Sequence, residues 1–251
     1  MSKLNSRQLQ AVHHVDSPLL VLAGAGSGKT SVITRKIAWL NRTARIPAEK
    51  IFAVTFTNKA AREMRSRIGE LVSKETAELL NVSTFHTLGL KIIRNELEHL
   101  PYQGGFSIFS ADDSLNLIAE LTHQTGDRNR ARCIELQQRI SSWKSMMITP
   151  AMASSLGEDA TIYAAYEKSL QAYNAVDFDD LIVKPLTLLQ ENTIVRDKWQ
   201  HKVAHLLVDE YQDTNHSQYE LIKVLVGNQS GLTVVGDDDQ SIYTWRGARP
   251  E

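Results

Sequence analysis

The chain has 251 residues, 42% hydrophobic and 23% charged, which is enough apolar material for a sizeable core in one or two domains. Its 28 Lys and Arg against 29 Asp and Glu leave a net charge of −1, so there is no global basic footprint, and any nucleic-acid binding must come from local patches. A lone cysteine, Cys133, excludes an internal disulfide and a Cys-based metal cage, and a buried thiol is its expected role. The polar start and the lack of any apolar run near the roughly 18 residues of a membrane span point to a cytoplasmic protein without membrane contact.

In chain order, the first apolar run is Leu19-Leu20-Val21-Leu22, followed by Ala-Gly-Ala-Gly-Ser-Gly-Lys-Thr over residues 23–30 and a helical pattern with Val32, Ile33, Ile37 and Leu40 on one face. The spacing then predicts a strand at Ile51–Thr55, a helix over Asn58–Val72 and a strand at Asn81–Thr84. From Thr87 to Trp199 the periodicity is mostly helical, in segments 88–97, 112–124, 130–146, 159–174 and 178–189, with breakers at Pro101, Gly104-Gly105, Gly126 and Pro150. An α/β rhythm resumes with strand 204–208, helix 217–226 and strand 232–235. The expected fold class is therefore α/β: a parallel sheet in parts 1–86 and 200–251, interrupted by a helical insertion over 87–199.

Two segments carry phosphate chemistry. In the glycine-rich turn, Ala23, Gly24, Ala25, Gly26, Ser27 and Gly28 can converge backbone N–H groups on a polyphosphate, and the following helix adds its positive end. Lys29 would reach the β and γ phosphates and Thr30 would offer its hydroxyl to Mg²⁺. The strict motif has Gly where this chain has Ala23, but Gly24, Gly26 and Gly28 supply the close approach. Leu206-Leu207-Val208-Asp209-Glu210 then puts two acids at the carboxyl end of a buried strand, where parallel α/β sheets bind ligands. Asp209 is the expected Mg²⁺ partner and Glu210 the base for the attacking water.

Further segments fall in a telling order. They are Leu4-Asn5 with Gln8 and Ala11-Val12, then 53–61 (Ala-Val-Thr-Phe-Thr-Asn-Lys-Ala-Ala), 82–87 (Val-Ser-Thr-Phe-His-Thr), 177–181 (Asp-Phe-Asp-Asp-Leu), 209–213 (Asp-Glu-Tyr-Gln-Asp) and 235–243 (Val-Gly-Asp-Asp-Asp-Gln-Ser-Ile-Tyr). From Leu4 to the last residue the chain resembles the superfamily 1A DNA helicases of the UvrD/PcrA/Rep group. The resemblance implies a RecA-like motor domain that uses ATP and Mg²⁺, translocates 3′ to 5′ on single-stranded DNA and unwinds duplex in replication or repair. Its partners would be single strands, single-strand/duplex junctions, and replication or repair proteins.

Residue roles follow from both sources. The resemblance gives Gln8 adenine recognition, makes Gln240 the sensor of the γ-phosphate and turns a basic residue near Arg67 toward the nucleotide. Phe56 and Trp245 are aromatics next to strand-like segments, suited to stacking on unpaired bases or to core packing, with Tyr243 a weaker companion. Thr57, Asn58, Thr84 and His86 offer donors for DNA phosphates. Lys59, Arg62, Arg65 and Arg67 punctuate one helix and fit a solvated basic face as well. Arg246 is expected to pair with an acid near 209–213. Ser31 stands where many relatives carry a basic residue, which weakens the expected adenine grip. Because the sequence ends just after the segment at 235–243, the family's later motifs and arginine fingers lie outside it. The expectation is weak binding and slow hydrolysis by this piece alone. The rival expectations are a truncated DNA-binding or regulatory module without turnover, and a nucleotide switch with Phe56 and Trp245 buried.

Overall fold

The computed structural model describes residues 4–24, 26–124 and 129–237. Its central feature is a five-stranded sheet in the order β1-β7-β6-β2-β3, with β1 at Leu19–Leu22, β2 at Ile51–Thr55, β3 at Asn81–Thr84, β6 at His205–Val208 and β7 at Gly231–Gly236. All of its pairings are parallel, with Leu22 beside Gly236, Val208 beside Val234 and Thr55 beside Thr84. β2 and β6 are buried at every position, as central strands covered on both faces must be, whereas edge strand β1 alternates in exposure.

Helices α1 (Ser6–His13), α2 (Lys29–Arg42), α3 (Asn58–Gly69) and α4 (Lys74–Leu79) precede β3. Ile33, Ile37 and Leu40 of α2 and Ala61, Met64 and Ile68 of α3 form one core cluster with Ile51, Ala53, Val82, Leu207 and Val235 of the sheet. The buried Lys36 of α2 donates to the carbonyl of Ala11 and to that of His14, capping the end of α1 with an ammonium. Burial lowers its pKa to about 8.

The helical stretch continues with α5 (Phe85–Asn95), α6 (Ala111–Gln124), α7 (Arg130–Ser145), α8 (Pro150–Ala153), α9 (Asp159–Ala172), α10 (Asp180–Glu191) and α11 (Thr193–Lys202), plus a short parallel pair of β4 (Ser107–Ile108) and β5 (Ala175–Val176); α12 is His216–Val226. It is not one packing unit. Phe85, Leu88 and Ile92 of α5, Ile182, Leu186 and Leu189 of α10, and Val195 and Trp199 of α11 pack with α12 on the second face of the large sheet. Only α6, α7, α8 and α9 close around a separate core, with Leu117, Leu136, Trp143, Tyr163 and Tyr166. Buried Glu96 fixes the end of α5 to α11 by accepting from Trp199 Nε1 at 2.8 Å and Lys198 Nζ at 2.9 Å.

The crossing of α5 and α10 depends on Gly89. A Cβ at that position would lie 1.7 Å from the carbonyl oxygen of Leu181, so the two backbones touch where only glycine fits. Pro185, inside α10, has no N–H to offer that same carbonyl.

Every strand expected in the large sheet is present. α5 begins three residues before the predicted start because the Thr84 side chain accepts from the Thr87 N–H and caps it. The sequence pattern does not predict α1, α4, α8 and α11: α1 buries only Val12, α4 only Ala77, α8 only Ala153 and α11 only Val195 and Trp199, too few positions to set a period.

Candidate functional site

The carboxyl edge of the sheet carries two sites. On the β1-β7-β6 side, β1 runs through Ala23, whose N–H donates to the carbonyl of Gly236, into the phosphate loop. Gly26 (φ +72) and Gly28 (φ +89) take left-handed conformations there, and Gly28 caps α2. Ala25 lies outside the described residues. Lys29 and Thr30 open the helix, two residues before the expected start at Ser31.

Gln8 reaches this loop as well. Its Nε2 donates to the carbonyl of Ser27 at 2.9 Å and its Oε1 accepts from the N–H of Asn5 at 2.9 Å, completing a capping box on α1. Each end of the amide makes one of these bonds, leaving a second N–H and a second lone pair.

Opposite the loop, Lys29 Nζ is 3.1 Å from Asp237 Oδ2, with both side chains nearly buried. The N–H of Asp237 donates to Gln212 Oε1 at 3.0 Å, and Gln212 Nε2 donates to Glu210 Oε2 at 2.8 Å. A single buried amide therefore joins the end of β7 to the expected base. Gly236 leaves room for it, since a Cβ there would sit 2.9 Å from Gln212 Oε1. Glu210 has φ +52, a left-handed conformation uncommon for a side chain of its size and typical of functional turns. Burial, and then the Glu210 charge, push the pKa of Asp209 up to about 6.

The β2-β3 side holds an open cleft of about 330 Å³ whose walls include Phe56, Asn58, Thr84, His86, Ile108 and Phe178. Phe56 packs edge-on against Phe85, with ring centroids 5.5 Å apart, and His86 does the same with Phe178 at 5.7 Å. Phe56 is half-buried against the core while Phe178 is 55% exposed. Thr57 caps α3 by accepting from the N–H of Ala60.

Thr84 is buried in the cleft wall, and its hydroxyl is engaged with the N–H and hydroxyl of Thr87. Arg67 is in the last turn of α3, which starts at the carboxyl edge and runs back toward the amino edge. At 1.5 Å per residue it sits about 14 Å beyond Asn58 along the axis. Gln240, Tyr243, Trp245 and Arg246 lie outside the described residues. Asp237, Gln212 and Phe178 sit inside the sequence motifs, but the motifs alone give them no role. The signal for Phe178 was an aromatic ring set among acids at 177–180.

A parallel sheet with a glycine loop and lysine after one strand and an Asp-Glu pair after another defines the phosphate-loop nucleotide-binding class, here in its RecA-like helicase form. The UvrD/REP helicase N-terminal domain model matches residues 4–251, and the chain belongs to that family. It is 53% identical to ATP-dependent DNA helicase Rep of Escherichia coli (strain K12) over 255 residues, covering 99% of this chain and 38% of that protein. The corresponding figures are 52%, 99% and 38% for Rep of Salmonella typhimurium, and 44%, 98% and 34% for ATP-dependent DNA helicase UvrD1 of Mycobacterium bovis. The chain thus spans a little over a third of the length of these relatives. No helix among the described residues is long and apolar enough to cross a membrane.

Proposed function

We propose that these residues form the N-terminal, ATP- and DNA-binding part of a cytoplasmic ATP-dependent helicase that moves 3′ to 5′ on single-stranded DNA and opens duplex at junctions during replication or repair. The observation that carries this reading is one sheet edge bearing both a phosphate-loop site and an aromatic cleft. A plain nucleotidase needs only the first.

In this reading Lys29 exchanges Asp237 for the β and γ phosphates, which are also held by the N–H groups of residues 24–28. The hydroxyl of Thr30 and the carboxylate of Asp209 are hard oxygen donors of the kind Mg²⁺ prefers, and Asp209 senses the Lys29 charge across the site. They would hold the ion, which supplies charge neutralisation for the polyphosphate. Glu210, oriented by Gln212, takes the proton of the attacking water, and Gln240 monitors the γ-phosphate. Phe56, His86 and Phe178 stack on or flank unpaired bases, Thr57 and Asn58 hold the backbone, and Tyr243 and Trp245 complete the path.

The motor unit comprises 1–86 and 200–251 together with α5, α10 and α11, which share its core; the inserted unit is α6 to α9 with the β4–β5 pair. The test is steady-state ATP hydrolysis with and without oligo-dT, by this chain and by a longer protein that carries it, each beside Glu210→Gln. Oligo-dT stimulation that Glu210→Gln abolishes supports the reading. Hydrolysis indifferent to oligo-dT in both proteins overturns it.

A further inference from the structure

The segment Asp177–Leu181 places a largely exposed phenylalanine between buried neighbours: Val176, Asp177, Asp180 and Leu181 are all at or below 6% exposure. Its backbone is closed into a small turn. The N–H of Asp180 donates to Asp177 Oδ1 at 2.8 Å and the N–H of Asp177 to Asp180 Oδ2 at 3.3 Å, with Phe178 and Asp179 between them.

That turn is gripped from below by Lys144, in the last turn of α7, whose side chain is 1% exposed. Its Nζ donates to Asp177 Oδ2 at 2.7 Å and Asp180 Oδ1 at 2.9 Å. Glu167 Oε1 of α9 lies 2.5 Å away as an ion-pair contact whose angle makes no hydrogen bond. Lys184 Nζ reaches Glu167 Oε2 at 2.8 Å and Asp180 Oδ1 at 3.5 Å, and the Tyr166 hydroxyl donates to Asp177 Oδ2 at 3.0 Å. Oxygens of Glu167, Asp177 and Asp180 come within 4.8 Å of one another, close enough for a metal ion, but the cation among them is the Lys144 ammonium.

Burial alone would discharge Lys144, yet Asp180, Asp177 and Glu167 hold its pKa well above the ordinary lysine value. The same ammonium, with Lys184, keeps Asp180 below the usual carboxylate range against the pull of its own burial. Such a cluster is a poor device for stability, because well-packed apolar residues of the same volume often do as well. It is a good device for fixing one geometry. What it fixes is the turn whose apex ring meets His86 across the cleft.

We propose that Lys144 is a positioning residue for the strand cleft: from the inserted helices it locks the Asp177–Asp180 turn and so holds Phe178 in the orientation that a base would meet. The inference rests on the reading of the cleft as the single-strand site. Pre-ordering an exposed ring lowers the entropy that binding would otherwise have to remove, and it ties the inserted unit to the motor unit's grip on a strand.

The test is a double-mutant cycle on this chain, read by fluorescence anisotropy of labelled oligo-dT, with a fluorescent ADP analogue as a control for folding at the other site. Phe178→Ala is expected to weaken oligo-dT binding roughly 5- to 100-fold, the range for losing one stacked base. Lys144→Met is expected to lose most of that factor by itself, to lose nothing further in the Phe178→Ala background, and to bind the ADP analogue normally. If Lys144→Met fails to fold, Asp177→Asn carries the same cycle, since it keeps the turn's shape and weakens the grip of the ammonium. Folded Lys144→Met or Asp177→Asn protein with undiminished oligo-dT affinity overturns the inference, as does a loss of equal size with and without the Phe178 ring. Unchanged affinity in Phe178→Ala overturns the assignment of Phe178 to the strand site, and the inference with it.

Discussion

The two ends of the sheet's carboxyl edge are built in opposite ways. Around β1, β7 and β6 the groups that matter are polar, mutually bonded and waiting to be exchanged: Lys29 rests on Asp237, Gln8 on Ser27, and Gln212 spans Asp237 and Glu210. Around β2, β3, α5 and α10 the candidate groups are rings, held by contacts within the protein: Phe56 on Phe85, and Phe178 on its ion-clamped turn. A site that cycles needs bonds it can trade. A site that grips any base in turn needs a fixed surface, and apolar stacking tolerates every sequence.

If that contrast is right, its sharpest break comes from Glu210→Gln, which should lower DNA-stimulated ATP turnover by about 10²- to 10⁴-fold in the protein carrying this domain, while oligo-dT affinity stays as it was. A parallel fall in both, in rates and in anisotropy, would merge the two regions into one. The next largest effect concerns the sheet they share. His205 donates to or accepts from Thr233 Oγ1 at 2.9 Å inside the sheet, and burial, then the Lys36 charge, lowers its pKa to about 4. Folded protein then binds fewer protons than unfolded protein between about pH 4 and 6.5, so stability falls as pH drops through that window, by up to about 3 kcal/mol. Urea melts of the wild type should show that slope, and His205→Asn should flatten it.

Phe56→Ala should reduce oligo-dT affinity by about 1 to 3 kcal/mol with little change in nucleotide binding. An equal loss at both sites would recast Phe56 as a core residue, which its packing beside Phe85 makes a fair challenge. The smallest effect is a gain. Asp237→Asn removes the charge that nucleotide must displace from Lys29, so fluorescent ADP should bind a few-fold tighter, on the order of 1 kcal/mol for a charge-assisted contact. Weaker binding would mean that Asp237 orients Lys29 instead of competing for it.

Much of this was legible in the sequence, and the boundary has physical causes. The central strands β2 and β6 could be read because buried parallel strands are near-continuous apolar runs, and the phosphate loop because glycine spacing is local. The long-range links could not be read. Lys144 looks like any lysine on a helix until Asp177 and Asp180, more than 30 positions later, close on it. Helical periodicity bounds the insertion at 87–199 but does not say which core a helix joins, and Leu88, Leu186 and Trp199 belong to the cluster packed on the sheet.

The contact at Gly89 has a consequence for gauge. His86 lies one turn before it on α5, and Phe178 lies just before Leu181, the residue whose carbonyl it meets. The clearance between those two rings is therefore set by backbone against backbone, with no side chain in the stack to swell, rotate or wear under selection. An alanine there would force α5 and α10 apart at their crossing and widen the cleft by about the thickness of a methyl group, without altering a single residue that lines it.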